Sequence, residues 1–161
     1  MFKVGIGQDS HRFSEDKNKP LILGGVEFSG GNGFKSNSDG DVIIHALCNA
    51  LEQAIGSGKS LASYSDEMCE NGITESSEYL KKAMEHVGRK GYEINNIGIN
   101  VEAQRPKIDP MANSIKQKLA EIIKVDKNLI GITATTGEDL TAFGRGEGAQ
   151  AFVIVSLTKK Q

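Results

Sequence analysis

The spacing of hydrophobic and polar positions changes several times along the chain, and each change predicts a different element. The segments FKVGIG, INNIGINVEA, LIGITATT and AQAFVIVSLT are short runs rich in β-branched residues, which is typical of β-strands. PLILGGVEF is a further β segment, separated from the first strand by the polar loop SEDKNK. From Asp41 to Ile55, apolar residues recur every three or four positions, which predicts a helix capped by Asp39 or Asp41.

Two more helices are predicted in the middle of the chain. TESSEYLKKAMEHVGRKG has a possible capping box from Thr74 to Ser77 or Glu78 and ends at Gly91. The third helix runs from Pro110 to about Lys124, with proline in its first turn. Residues 56–73, GSGKSLASYSDEMCENGI, have no sustained period, and we predict an irregular surface segment there.

The resulting order of elements is β, β, α, α, β, α, β, β. Because strands and helices interleave, we predict an α/β (α+β) fold in which helices pack on one face of a single mixed β-sheet, giving a two-layer sandwich. The length of 161 residues and the hydrophobic content of 38% favour one domain, residues 1–161, with a sizeable core.

Charge and cysteine content exclude several classes of protein. A formal net charge of −2 and a pI near 5.9 argue against nucleic-acid binding. Cys48 and Cys69 lack C-x-x-C spacing, so we expect no disulfide framework and a reducing compartment. We find no apolar run of membrane-spanning length and no signal-peptide pattern, so we expect a cytoplasmic protein that does not bind membranes.

The first candidate site begins with GIGQDSHRF. Side chains alternate faces along a strand, so Asp9 and His11 leave the end of the first strand on the same side. An alternative is a strand-to-loop junction with an Asx turn and an exposed histidine. His45 lies in the first turns of the helix that follows Asp41. Two imidazoles and a carboxylate suit zinc and leave a fourth position open, although His45 alone would equally fit a buried, hydrogen-bonded helix histidine.

Neighbours of His45 on the helix could orient its ring. Asp41 lies four residues before it and Asn49 four residues after it, so either side chain can flank the imidazole on one helix face. Either of them could therefore fix the tautomer of His45 as a partner of the metal ligand.

A second candidate site follows the strand LIGITATT. Thr135 and Thr136 end that strand, and Gly137, Glu138 and Asp139 lead into a turn, an arrangement that suits a phosphate held with a hard cation such as Mg²⁺. Helix capping by the threonines is the alternative.

Two further segments carry groups that can bind a nucleotide. Arg145, between glycines, could hold a phosphate or form a salt bridge to Glu147. In AQRPKID, Pro106 restricts Arg105, and Lys107 or the neighbouring amides could recognise a base.

Five segments together resemble one enzyme family. GIGQDSHRF, SDGDVIIHALCNA, EAQRPKI, TATTGEDL and GRGEG occur in the order found in the 2-C-methyl-D-erythritol 2,4-cyclodiphosphate synthase family, and the similarity covers nearly the whole chain. The resemblance implies an enzyme of non-mevalonate isoprenoid biosynthesis, a CMP-releasing phosphorus–oxygen lyase that acts on a cytidine diphosphate substrate. It also implies a homotrimer with active sites between neighbouring subunits.

The same resemblance implies the residues of the site. A divalent metal, usually Zn²⁺, would bind Asp9, His11 and His45, and Mg²⁺ or Mn²⁺ would bind Glu138 at the nucleotide diphosphate. The residues implied in catalysis are Thr136, Asn37 and Glu138. The residues implied in substrate binding are Asp9, Ser10, His11, Asn37, Ser38, Ser57, Ala103, Gln104, Arg105, Pro106, Lys107, Ile108, Thr135, Thr136, Gly137, Ala142, Phe143 and Arg145.

Three positions depart from the family pattern. Asn37 stands where histidine is common, Ser57 replaces an aspartate that contacts substrate hydroxyls, and Ala142 precedes Phe143 where the family often has phenylalanine. The missing contacts could come from nearby polar residues, namely Ser60, Ser63, Ser65 and Asp66, with a surface loop as the alternative. Two other functions are open: a trimeric binding protein without turnover, and a metal-dependent phosphohydrolase.

Overall fold

Ten main elements follow one another in the computed structural model, which describes residues 1–160. The strands are β1 (Phe2–Arg12), β2 (Leu21–Leu23), β3 (Val26–Phe28), β4 (Tyr92–Glu102), β5 (Ile130–Thr135) and β6 (Gly148–Lys159). The helices are α1 (Val42–Ala54), α2 (Ala62–Glu70), α3 (Ser76–Arg89) and α4 (Ala112–Ile123), with short 3₁₀ turns at Asp109–Met111 and Lys127–Leu129.

The main sheet has four strands in the order β1-β6-β4-β5. β4 and β5 are parallel, whereas β6 is antiparallel to both β1 and β4. β1, β4 and β5 therefore all run in one direction, and their carboxyl ends lie at the same edge of the sheet. The predicted mixed sheet with helices on one face is confirmed, since α1, α3 and α4 all contact its strands.

The segment PLILGGVEF forms a hairpin rather than one strand. β2 and β3 pair only with each other, and Gly24 and Gly25 between them both have positive φ, which turns the chain back on itself.

Two glycines allow α1 to lie directly on the sheet. A Cβ atom at Gly5 would stand 2.1 Å from the carbonyl oxygen of Ala50, and one at Gly7 would stand 2.0 Å from that of Ala46. α1 is consequently almost wholly buried between the sheet and α3. This close approach brings the first turns of α1 beside the carboxyl-terminal half of β1.

The opposite face of the sheet is apolar and exposed. Alternation along β1 and β6 directs five large side chains outward, and we call them the open sheet face: Phe2, Val4, Ile6, Phe152 and Ile154. Their exposed fractions range from 42% to 68%, so the sheet presents a group of large apolar side chains to solvent.

Two local predictions are wrong. Residues 56–73 contain the helix α2, which buries only Tyr64 and Ser65 and therefore leaves little apolar periodicity in the sequence. α3 begins at Ser76 without a side-chain cap from Thr74, because the Ser76 N–H donates to Asp39 from the preceding loop, 2.9 Å away. Within residues 1–160, none of the helices combines the length and the apolar character needed to cross a membrane.

Candidate metal and nucleotide site

Asp9, His11 and His45 meet where β1 passes the start of α1. Oδ2 of Asp9 lies 3.1 Å from Nε2 of His11 and 3.0 Å from Nδ1 of His45. The two ring nitrogens are 3.4 Å apart. The predicted grouping of these three residues is therefore confirmed, and their donor atoms form a single cluster.

The size of this cluster fits a tetrahedral zinc site. Ligand bonds of about 2.1 Å around a tetrahedral ion place neighbouring donor atoms about 3.4 Å apart. The three observed separations, 3.0, 3.1 and 3.4 Å, lie at or slightly below that value. Two imidazoles and one carboxylate also form a typical zinc ligand set, so the residues present fit a divalent metal.

Side-chain alternation and helix capping position the three donors. Asp9 and His11 share the face of β1 that meets α1, and their side chains are both 24% exposed. Asp41 caps α1 by accepting from the N–H groups of Ile43 and Ile44, each at 3.1 Å, which sets the first turn that carries His45. His45 itself is 7% exposed.

The partner of His45 is neither Asp41 nor Asn49, so that prediction is wrong. The carboxylate of Asp41 accepts from the first turn of α1 and from the N–H groups of Gly24 and Gly25, at 2.9 and 2.7 Å. Asn49 accepts from the Leu61 N–H at 2.8 Å. Nε2 of His45 instead contacts the hydroxyl of Ser76, at 2.8 Å.

The electrostatics of the cluster favour ionised Asp9. Burial raises the pKa of Asp9, but the neighbouring imidazoles of His11 and His45 outweigh this effect and hold that pKa below its ordinary value. Burial and the charge of Asp39 raise the pKa of Asp41 to about 6, against the opposing effect of its backbone N–H donors.

A cavity of about 430 Å³ opens beside the three donors, and we call it the metal cavity. It includes the predicted residues Asn37 and Ser38. α2 supplies part of its wall. From segment 60–69, six residues line the cavity: Ser60, Leu61, Ala62, Ser65, Asp66 and Cys69. Three of them, Ser60, Ser65 and Asp66, were predicted candidates to replace the missing contacts.

Two predicted substrate-binding residues lie elsewhere. Ser57 lines a different cleft, with Lys59 and Arg89, and its hydroxyl accepts from the Lys59 N–H at 3.1 Å. Ser10 is exposed on the face of β1 opposite Asp9 and His11. Within one chain, the structure therefore does not bring these two serines to the metal cavity.

A second cavity, of about 310 Å³, lies at the ends of β4 and β5, and we call it the nucleotide cavity. Predicted residues from two separate segments line it: Ala103, Pro106, Lys107, Ile108, Thr135 and Thr136. The Ala103 N–H donates to the carbonyl of Thr135 at 3.0 Å, which joins the two segments. The sequence placed them 27 or more residues apart, and the parallel pairing of β4 with β5 brings them together.

The loop after β5 carries the remaining predicted residues. Glu138 is exposed with φ of 49°, and its carboxylate lies 3.4 Å from the hydroxyl of Thr136. The Gln104 N–H donates to the carbonyl of Phe143 at 3.1 Å, so this loop packs beside residues 103–108. Gly137, with φ of 76°, and Ala142 lie in the same loop.

Two acidic residues, Glu102 and Glu147, hold this loop in place, and the sequence pattern did not indicate Glu102. Glu102 accepts from the hydroxyl of Thr141 and, at 2.5 Å, from the amide of Gln150. Glu147 pairs with Arg12 at 2.9 Å and with Arg145 at 3.4 Å, so the salt-bridge alternative for Arg145 is present. Nothing in the local sequence pattern indicates the contacts of Glu102 or the pair of Glu147 with Arg12, because those partners lie far away in the sequence.

Within one chain the two cavities are separate. Asp9 and Val101 both pair with Ala151, so the metal cluster and the end of β4 stand at the same level of the sheet, on either side of β6. With strands about 4.8 Å apart, β1 and β5 are about 14 Å apart.

Comparisons with known proteins identify the family. The model described as the YgbB family matches residues 2–158. The 2-C-methyl-D-erythritol 2,4-cyclodiphosphate synthase of Chlamydia muridarum is 41% identical over 159 residues, which cover 98% of this chain and 88% of that protein. The Chlamydia abortus protein of the same name is 42% identical, with 98% and 89% covered.

Solved structures agree with this assignment. The bifunctional IspDF from Campylobacter jejuni superposes with a TM-score of 0.90 at 35% identity, covering 99% of this chain and 42% of that protein. A CDP complex of IspF from Plasmodium falciparum gives a TM-score of 0.86 at 28% identity, covering 99% and 97%. The chain therefore belongs to the YgbB family, the family of the 2-C-methyl-D-erythritol 2,4-cyclodiphosphate synthases.

Proposed function

We propose that this chain is a 2-C-methyl-D-erythritol 2,4-cyclodiphosphate synthase, a phosphorus–oxygen lyase of non-mevalonate isoprenoid biosynthesis. Its substrate is 4-diphosphocytidyl-2-C-methyl-D-erythritol 2-phosphate, and its products are the cyclic diphosphate and CMP. The observation that carries the proposal is the convergence of Asp9, His11 and His45 on one wall of the metal cavity, in a chain whose relatives bear that enzyme's name.

The reaction requires no acid or base from the protein. An oxygen of the substrate's 2-phosphate attacks the β-phosphorus, one P–O bond forms, and the bond from that phosphorus to the bridging oxygen breaks. CMP leaves with the bridging oxygen and its electron pair. Because the nucleophile is already an anion, catalysis consists of positioning and charge neutralisation.

Divalent ions bound at Asp9, His11 and His45 and at Glu138 would supply the positive charge that neutralises the phosphates and the departing CMP. Zinc is proposed for the first position and Mg²⁺ or Mn²⁺ for the second. The donor set and spacing of the three ligands support zinc, and the exposed carboxylate of Glu138 beside the Thr136 hydroxyl supports a hard cation at a phosphate.

The protein's own residues orient the substrate. Thr135 and Thr136 offer hydroxyls to the nucleotide diphosphate, and the backbone of residues 103–108 offers N–H and C=O groups to the cytosine edge. Asn37 donates to an oxygen of the transferring phosphate from the rim of the metal cavity. On the sugar side, Ser60, Ser65 and Asp66 replace the contacts that Ser57 does not make within this chain. Their position in the metal cavity supports this role.

One assay separates this function from the two alternatives. The substrate is incubated with the protein, Zn²⁺ and Mg²⁺, and CMP, inorganic phosphate and the mass of the organic product are measured together. A synthase releases CMP with a cyclic diphosphate and no inorganic phosphate. A linear product with free phosphate would indicate a phosphohydrolase, and intact substrate after long incubation would indicate a binding protein.

We also propose that the protein is a homotrimer with active sites between subunits. Two observations support this: the open sheet face exposes five large apolar side chains, and one chain places the two halves of the site in separate cavities. Ile154→Lys on that face should reduce the mass measured by light scattering to that of one chain, whereas Ile73→Lys outside it should leave the trimer intact. A trimeric Ile154→Lys would contradict this interface.

Complementation tests whether the sites are shared. His45→Ala removes a metal ligand from one half of the site, and Thr136→Ala removes a phosphate-binding hydroxyl from the other. Each variant alone should release little CMP, whereas co-expression gives mixed trimers that retain some complete sites. Random assembly predicts about one quarter of wild-type CMP release, because a complete site needs both halves intact on different chains. Mixed trimers without recovered activity would show that each chain carries its own site.

Cys48 and Cys69 are free thiols, which supports a reducing compartment, and we propose the cytoplasm.

A further inference from the structure

His45 is linked through its second ring nitrogen to a buried hydroxyl and carboxylate. Nε2 of His45 lies 2.8 Å from Oγ of Ser76, the first residue of α3. Ser76 is fully buried, and its hydroxyl donates to Oδ1 of Asp39, which lies in the loop before α1. His45, Ser76 and Asp39 are therefore linked by hydrogen bonds that lead from the metal cavity to the loop before α1.

The direction of each hydrogen bond follows from the number of protons available. The carboxylate of Asp39 accepts from the Ser76 hydroxyl, from the Ser76 N–H at 2.9 Å and from the Asp41 N–H at 3.1 Å. Serine has one hydroxyl proton, and Ser76 uses it in the hydrogen bond that it donates to Asp39. Ser76 Oγ is then an acceptor toward His45, so the proton of that imidazole resides on Nε2.

A proton on Nε2 leaves a lone pair on Nδ1, the atom that faces the other ligands. Nδ1 of His45 lies 3.0 Å from Oδ2 of Asp9 and 3.4 Å from Nε2 of His11. Two acceptors at 3.0 Å repel each other unless a cation lies between them. We propose that Ser76 and Asp39 are positioning residues, which hold His45 in the Nε2–H tautomer with Nδ1 directed at the metal.

This inference rests on the proposed function only through the metal site. Asp39 also has a structural role, since its own N–H donates to the carbonyl of Thr74 at 3.0 Å. Ser76→Ala removes the hydroxyl but keeps this bond and the Ser76 backbone bond to Asp39. It therefore separates the effect on His45 from the attachment of α3 to the loop.

The first test measures zinc affinity by competition with a chromogenic chelator. Ser76→Ala should raise the dissociation constant about 10- to 100-fold, and Asp39→Asn should raise it by less. Tyr79→Phe is the matched control: its ring lies 6.1 Å from that of His45, but its hydroxyl bonds to Cys69 and the Ile73 carbonyl. That variant should bind zinc like the wild type while losing stability.

The second test reads the tautomer directly in the metal-free protein. Long-range ¹H–¹⁵N spectra at pH 8, where an ordinary imidazole is neutral, should show the His45 proton on Nε2 in the wild type and a mixture of tautomers in Ser76→Ala. A proton on Nδ1 in the wild type, or a Ser76→Ala zinc affinity within about twofold of wild type, would overturn the inference. A wild-type protein that binds no zinc would instead contradict the metal assignment of the proposed function.

Discussion

The metal cavity and the nucleotide cavity are built in different ways. The proposed metal ligands come from a long strand and a buried helix, and His45 is held by the side chain of Ser76 from another helix. The nucleotide cavity is formed by segments that follow two strand ends, and Lys107 and Thr135 on its wall are exposed. The chemistry of the first cavity therefore depends on a few side chains, whereas the second depends on the path of the backbone.

This difference indicates how each cavity responds to change. Substitution of a ligand in the metal cavity removes a donor atom that no neighbour can replace. In the nucleotide cavity, substitution of a side chain leaves the backbone N–H and C=O groups in place. Four predictions test this contrast.

His45→Ala has the largest expected effect and should disable the metal cavity alone. Two ligands rarely hold zinc tightly, so the variant should lose about one equivalent of zinc and about 10²–10³-fold in the rate of CMP release. CDP affinity should change little, because other residues line the nucleotide cavity. Elemental analysis and calorimetry measure both quantities.

His86→Ala is the matched control for His45→Ala. This third histidine pairs with buried Glu52 at 2.6 Å, outside both cavities, so its loss should lower stability but leave zinc content unchanged. Full zinc content in folded His45→Ala would refute the ligand assignment.

The pH dependence of stability should report the buried cap of the metal-bearing helix. The pKa of Asp41, about 6, exceeds the ordinary value of 3.8, so the folded state binds this proton more tightly than the unfolded state. Ionised Asp41 therefore lowers the free energy of unfolding above pH 6, and this loss is recovered as pH falls. The recovery is about 3 kcal/mol in total and about 1 kcal/mol between pH 7.5 and 5.

Asp41→Asn supplies the reference, because position 41 then does not titrate. Urea unfolding of the metal-free protein at several pH values should show the free energy of unfolding of the wild type rising relative to that of the variant as pH falls. A constant difference between the two proteins would disprove a raised pKa for Asp41.

Gly7→Ala tests the packing that brings α1 to the metal cluster. The new Cβ atom would stand 2.0 Å from the Ala46 carbonyl oxygen, next to His45, so α1 must shift. We expect a loss of about 1–3 kcal/mol in the free energy of unfolding and weaker zinc binding. Gly131→Ala in β5 is the control, since its nearest atom is 3.9 Å away, and both variants should keep CDP affinity. Unchanged stability in Gly7→Ala would show that this close approach is not required.

The last prediction concerns the nucleotide cavity. If the backbone of residues 103–108 pairs with the cytosine edge, uracil places an acceptor against an acceptor, and UDP should bind about 1–3 kcal/mol more weakly than CDP. Lys107→Ala should weaken both nucleotides by a similar factor, because a side-chain charge does not distinguish the bases. Calorimetry showing equal affinity for CDP and UDP would exclude backbone recognition.

Much of the fold and of the metal cluster was predictable because the decisive signals are local. Period-two and period-3.6 patterns located the long strands and three helices, and alternation along β1 placed Asp9 and His11 on one face. Two imidazoles and a carboxylate indicated zinc by their chemistry alone. α2 escaped prediction because it buries too few residues to show a period, and PLILGGVEF escaped because two adjacent glycines reverse the chain within it.

Only the tertiary structure decided which groups far apart in the sequence contact each other. Asp41 and Asn49 have the right helical spacing to orient His45, yet the partner is Ser76, 31 residues away, because the start of α3 packs against the start of α1. Glu102 and Glu147 likewise acquire their roles from neighbouring strands. The sequence by itself determined which donor atoms are available and how they repeat along each element. Packing decided which of them meet, because hydrogen bonds and metal sites require distances near 3 Å that no one-dimensional pattern specifies.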